Sequence, residues 1–396
     1  MAVRGGRAGS FWPSRRQELL LRAALLQDER GEKAWEMLRP HLDIERLETG
    51  STVLLPLLYE RLREQERDEP FLPRLRGVYR YVWYRNQLAI RTLLGMLTAL
   101  RPAAIDSMVF GGAALITRYY RRLGVRPLDE AALLVRRSQL RDVTNLLTAA
   151  GWSIAGGGSG RHHRLQPAEA RDGSTGALHW RLPVEFEPVD SLASEDDVWR
   201  DAGTVEVRGT PTLMLDPTDE LLLTCVRGAR SGSASNVQWV ADAITILHVS
   251  EPEIDWETLT AKAVARRRFI PLLEALDYLA ETLDAPIPQS VLDGLRTTSA
   301  TRRERVAHRI SGRGGRLLGN LPATVGAHIV ASQDDNVLRV ALTLPDFLRR
   351  EWGVERLSQL PTAAARRGIA AVSSVRAHRR TRRLAQRHRS ASSSGA

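Results

Sequence analysis

Through its first hundred residues the chain repeats apolar side chains three and four positions apart, as in Ser14-Arg-Arg-Gln-Glu-Leu-Leu-Leu-Arg-Ala-Ala-Leu-Leu and Leu54-Leu-Pro-Leu-Leu-Tyr-Glu-Arg-Leu-Arg. That spacing gives a helix one buried face per segment. Ser14 is expected to cap the first helix, with Gln17 completing a capping box. A longer helix is predicted from Leu75 to Leu100, where Val78, Tyr81, Val82, Leu88, Leu93, Leu94 and Leu97 fall at helical spacing. Its aromatic patch, Tyr79, Tyr81, Trp83 and Tyr84 ahead of Asn86, reads as a packing surface rather than a ligand-stacking platform.

From Ala104 the pattern changes to short strands alternating with helices. Ile105 to Phe110 reads as a strand, Ala113 to Leu123 as a helix, Ala132 to Val135 as a strand, and Ser138 to Ala150 as a helix stopped by Gly151. Gly156 to Gly160 is a turn; His162 to Leu165 and Ala177 to Leu182 read as further strands of one sheet, joined by a polar Arg171-Asp-Gly-Ser-Thr-Gly hairpin turn. Helical periodicity returns at Asp219 to Arg227, at Val237 to Leu247, and from Trp256 to about Leu295. The predicted organisation is a helical N-terminal subdomain (1–103), an α/β core (104–216), a helical C-terminal subdomain (217–345) and an Arg-rich tail (346–396).

Composition changes this picture in one place. The net charge of +11 is concentrated after Glu355, where Arg356, Arg366, Arg367, Arg376, Arg379, Arg380, Arg382, Arg383, Arg387 and Arg389 meet no acidic residue. The preceding chain is almost neutral. Such a tail suits nonspecific contact with nucleic acid or an anionic surface, and it has no aromatic residue for base stacking. The only lysines are Lys33 and Lys262. The single cysteine, Cys225, sits in an apolar run and reads as a small buried hydrophobe. With no long apolar run and no secretory leader, the expected location is cytoplasmic.

Candidate chemistry centres on Val109 to Trp152. An apolar strand leads into Gly111-Gly112, and a helical interval leads into Arg126-Pro-Leu-Asp-Glu-Ala-Ala-Leu-Leu-Val135. Together with Leu54-Leu-Pro-Leu-Leu-Tyr, the aromatic stretch ending at Asn86, Leu178-His-Trp-Arg-Leu182 and Trp239-Val-Ala-Asp-Ala243, this segment resembles the uncharacterised nucleotidyltransferase family, over about Leu20 to Leu247. The resemblance implies an α+β fold, a small mixed sheet flanked by helices. It also implies Mg²⁺-dependent transfer of a nucleotidyl group from a nucleoside triphosphate. In that chemistry, two carboxylates two residues apart on a strand hold metal, and a glycine pair lets the backbone approach the triphosphate.

The glycines are present, as candidate nucleotide contacts or as a plain tight turn. The carboxylates are altered. The family pattern Asp-x-Asp before Leu-Leu-Val falls on Glu130 and Ala132, and its third carboxylate, just before Leu-His-Trp, falls on Ala177. Asp129 and Glu130 remain as candidate catalytic and metal-ligating residues, but adjacent strand residues point to opposite faces. Glu185 in Val184-Glu-Phe-Glu187 is a weaker candidate ligand; a solvent-facing strand edge is the plainer reading. His162, His163 and His179 lack metal-ligand helical spacing, and Asp242 is expected to pair with an arginine or cap an element. The leading expectation is therefore a nucleotide- or partner-binding protein with weakened or lost transfer activity. The alternatives are an active enzyme using Asp129, Glu130 and Glu185, and a nucleic-acid-associated protein acting through the tail.

Overall fold

A computed structural model describes residues 12–48, 50–128, 130–155, 162–167, 175–183, 193–229, 237–250, 254–311, 321–332, 337–352 and 354–365. Asp129, Glu185, the turn at Gly156 to Gly160 and most of the Arg-rich tail lie outside the described residues, as do the side chains of His162 and His163.

The N-terminal region is helical, with α1 (Arg15–Leu25), α2 (Glu29–Leu38), α3 (Leu55–Glu64) and α4 (Leu72–Leu100). The capping box is formed as expected. Ser14 Oγ accepts from the Gln17 backbone at 3.2 Å, and Gln17 Oε1 accepts from the Ser14 backbone at 2.9 Å. At 29 residues α4 is roughly 44 Å long. Its N-terminal half packs on α3 and its C-terminal half lies under the sheet, where Leu93, Met96, Leu97 and Leu100 are buried.

The sheet comprises β1 (Ser107–Phe110), β2 (Ala131–Val135), β3 (Trp152–Ala155), β4 (His162–Pro167), β5 (Gly176–His179), β6 (Gly203–Val207) and β7 (Thr210–Met214), ordered β3-β4-β5-β2-β1-β7-β6. It is mixed: β5 runs parallel to β2 and β7 parallel to β1, while the other neighbours are antiparallel. β4 and β5 form the expected antiparallel pair. Between the strands lie α5 (Gly112–Arg118), α6 (Leu140–Ala149) and α7 (Ala193–Asp201). β2 is buried along its whole length, so it reads as a continuous apolar run rather than an alternation. The strands β3, β6 and β7 escaped the sequence reading; β6 and β7 alternate exposed and covered residues too weakly to stand out.

The helix after the glycine pair is shorter than its periodicity predicts, ending at Arg118 instead of Leu123. Asn86 explains the early stop. Its Nδ2 donates to the carbonyls of Leu123 and Arg126 at 2.5 and 2.7 Å, and its Oδ1 accepts from Leu128 N at 3.0 Å, holding the segment as a loop.

Helices α8 (Pro217–Gly228), α9 (Gln238–Ser250), α10 (Trp256–Ala265), α11 (Phe269–Leu283) and α12 (Gln289–Thr297) continue the same hydrophobic core, which runs without a break from Leu20 to Leu295. Trp12, Trp239 and Tyr278 join the N-terminal segment to α9 and α11, with ring centroids 5.1–6.1 Å apart. Cys225 is fully buried in α8, and desolvation pushes its thiol above the usual range. Beyond it, α13 (Arg302–Ser311), α14 (Leu321–Ala331) and α15 (Val337–Trp352) carry a small core of their own. No described helix is long and apolar enough to cross a membrane.

The aromatic patch of α4 departs from expectation. Tyr79 packs inward, but Tyr81, Trp83 and Tyr84 are 65, 45 and 56% exposed, because the buried arc of the helix is already filled by Leu75, Val82 and Asn86. Central packing carries the stability. Leu133→Ala in β2, where the leucine is fully buried, should lower the unfolding free energy by about 2–5 kcal/mol in a urea titration.

Candidate functional site

Gly111 ends β1 with φ 61° and ψ −136°, a conformation that a side chain would strain, and it leaves open space where a Cβ would stand. Gly112 opens α5 for a different reason. A Cβ there would come within 2.4 Å of Arg126 Nη1 and 2.8 Å of Leu128 Cδ2. The glycine pair thus combines a special backbone conformation with a close approach of Arg126.

Strand register decides what stands beside this turn. Phe110 pairs with Ala132 across β1 and β2, and Ala132 pairs with Ala177 across β2 and β5. Paired residues share a sheet face, so Phe110, Ala132 and Ala177 line up together, with His179 two residues beyond Ala177. The Phe110 and His179 rings, 5.7 Å apart, lie on this face. The opposite face is covered by α4, since a Cβ on Gly176 would meet Met96 Sδ at 3.0 Å. At 7% exposure Ala132 is the most accessible residue of β2. The two positions where the resemblance expects carboxylates are therefore adjacent in space, and both are alanine. Glu130, half-buried just before β2, has the parity to share their face.

Arg126 anchors the connection that leads to β2. Its Nε and Nη2 donate to the two carboxylate oxygens of Asp242 at 2.7 and 2.9 Å, and Tyr120 donates its hydroxyl to Asp242 Oδ1 at 2.7 Å. Both charged side chains are nearly buried, so Asp242 does pair with an arginine. Gln238 donates to the Pro127 carbonyl at 3.3 Å. Glu220 on α8 lies in the field of this network. Burial, with help from Asp242, pushes its carboxyl up to about 8, so it is largely protonated at neutral pH. Burial likewise pushes the Tyr120 phenol up.

A second carboxylate group had no signal in the spacing of the chain. Asp201 ends α7, Asp216 caps α8 and Asp219 lies in its first turn; their oxygens approach within 4.8 Å of one another. Lys262 Nζ sits among them, 2.9 Å from Asp219, 3.1 Å from Asp201 and 4.0 Å from Asp216. Burial raises Asp219 to about 7, reinforced by Asp216 and opposed by Lys262. The protein's own ammonium thus occupies the place of a cation.

Beside the glycine turn Glu130 is the candidate oxygen ligand among the described residues, and Lys262 offsets part of the negative charge of the three aspartates, whose oxygens lie close enough together to hold a cation. His179 contacts the Phe110 ring.

Two outcomes are expected. Arg126→Met, which strands Asp242 in the interior, should cost about 3–5 kcal/mol by denaturant unfolding, and adding Asp242→Leu should return much of it. Glu220 gives the second. An unfolded Glu carboxyl titrates near 4.5. Between that pH and about 8 the folded state holds a proton that the unfolded chain has released, so stability falls as pH rises. Glu220→Gln should flatten that slope in unfolding curves recorded across this range.

No functionally curated protein matches the chain. The family model described as uncharacterised nucleotidyltransferase matches residues 51–284, more than half of the chain and all of the sheet. Asn86, the glycine turn, Arg126 and Asp242, which carry the resemblance, meet around one loop, and the protein belongs to the uncharacterised nucleotidyltransferase family.

Proposed function

We propose that this protein uses the turn at Gly111 and Gly112 to bind a nucleotide or a partner, and that metal-dependent nucleotidyl transfer is weakened or lost. The observation that carries this reading is the pairing of Ala132 with Ala177 beside the turn. In the resemblance both positions hold metal-binding carboxylates, and methyl groups supply no ligand oxygen. Binding needs less than catalysis. Open space beside Gly111 leaves backbone groups at a strand-to-helix turn for a phosphate, without a charge-neutralising metal pair.

Glu130 favours a second reading, an Mg²⁺-dependent transferase that works with a reduced carboxylate set including Asp129 and Glu185. Its parity with Ala132 would let one carboxylate reach a metal held mainly by phosphate and water. Nucleic-acid or anionic-surface contact through the basic tail is compatible with either reading.

Thermal-shift measurements with the common nucleoside triphosphates separate the two. The first reading expects a rise in melting temperature that is the same with and without Mg²⁺. Ala132→Asp combined with Ala177→Asp should lower stability by burying carboxylates, and Mg²⁺ with triphosphate should restore it. Nucleotidyl transfer by the unaltered protein, abolished by Glu130→Ala, would establish the second reading.

A further inference from the structure

We infer that a cleft between α3, α4 and the loop after α5 binds a small phosphate monoester of sugar-phosphate type. The cleft has about 170 Å³ of open space and is lined by Arg63, Arg76, Arg80 and Arg122, by Glu60, and by the rings of Tyr59 and Tyr79.

Its charges are unequal. Glu60 Oε1 accepts a hydrogen bond from Arg63 at 2.8 Å and forms an ion pair with Arg122 at 2.6 Å, so its one negative charge is shared between two guanidinium groups. Arg76 and Arg80 lie one turn apart on the exposed side of α4, and no carboxylate among the described residues pairs with either. Concentrating guanidinium groups in a concave space is unfavourable without an anion. A phosphate dianion, which accepts several charge-assisted hydrogen bonds from planar guanidinium forks, matches them in charge and geometry.

One further feature narrows the ligand. Tyr59 and Tyr79, with centroids 5.2 Å apart and rings tilted by 45°, form an apolar wall against which the carbon face of a sugar can rest. Gly124 fixes that wall, since a Cβ there would stand 2.5 Å from the Tyr79 ring. The site does not depend on the reading of the glycine turn.

Calorimetric titration of the full chain with ribose 5-phosphate, inorganic phosphate and ribose, without any nucleoside triphosphate, tests the inference. Ribose 5-phosphate should bind more tightly than inorganic phosphate, and ribose should not bind. Arg76→Ala with Arg80→Ala should weaken ribose 5-phosphate at least about tenfold, as expected for lost charge-assisted hydrogen bonds. Both positions are exposed, so the fold should persist, as circular dichroism would check. Arg85→Ala, on the same helix outside the cleft, should leave affinity unchanged. Unaltered binding in the double variant, equal affinity for ribose 5-phosphate and inorganic phosphate or ribose, or no ribose 5-phosphate binding at millimolar concentration would each overturn it.

Discussion

The buried contact between Arg126 and Asp242 organises the centre of this protein. A guanidinium and a carboxylate withdrawn from water must satisfy each other closely, and here two hydrogen bonds of 2.7 and 2.9 Å do so while Tyr120 supplies a third. Such a pair adds little net stability over an apolar substitute, but it tolerates few alternative arrangements. It joins the loop ahead of β2 to α9, and Asn86 joins the same loop to α4. The position of Arg126 then requires glycine at 112, because a methyl group there would collide with the guanidinium.

That dependence gives the glycine pair two origins. Gly111 is set by backbone conformation and leaves open space; Gly112 is set by packing. Only the first leaves room for a ligand. Ala132 and Ala177 pair on the face beside it, and the described aspartates that cluster surround Lys262. Lysine suits that place, since a compact ammonium with three rotatable donors can face several carboxylates at once, whereas a planar guanidinium is better matched to one or two. In a chain with only two lysines against many arginines, the half-buried Lys262 sits where geometry favours it.

Much of the fold was legible because local rules agreed with the tertiary outcome. The capping box at Ser14, the long α4, the strand and glycine turn, and the stop at Gly151 all rest on interactions within a few residues. The exposed aromatics of α4 were not legible: helical spacing identifies residues that share a side, and neighbouring elements decide which side is covered. The loop replacing the end of α5 was hidden for a related reason, since its carbonyls are claimed by Asn86 from another helix.

By itself the sequence determined the family and the mixed α and β architecture, because these depend on residue identity and local periodicity. Only the tertiary structure decided that Ala132 and Ala177 are neighbours, that Asp242 belongs to Arg126, and that four arginines and one glutamate line a single cleft. Those facts depend on strand register and helix packing. They bring together residues tens of positions apart, and no local pattern in the chain encodes such distances.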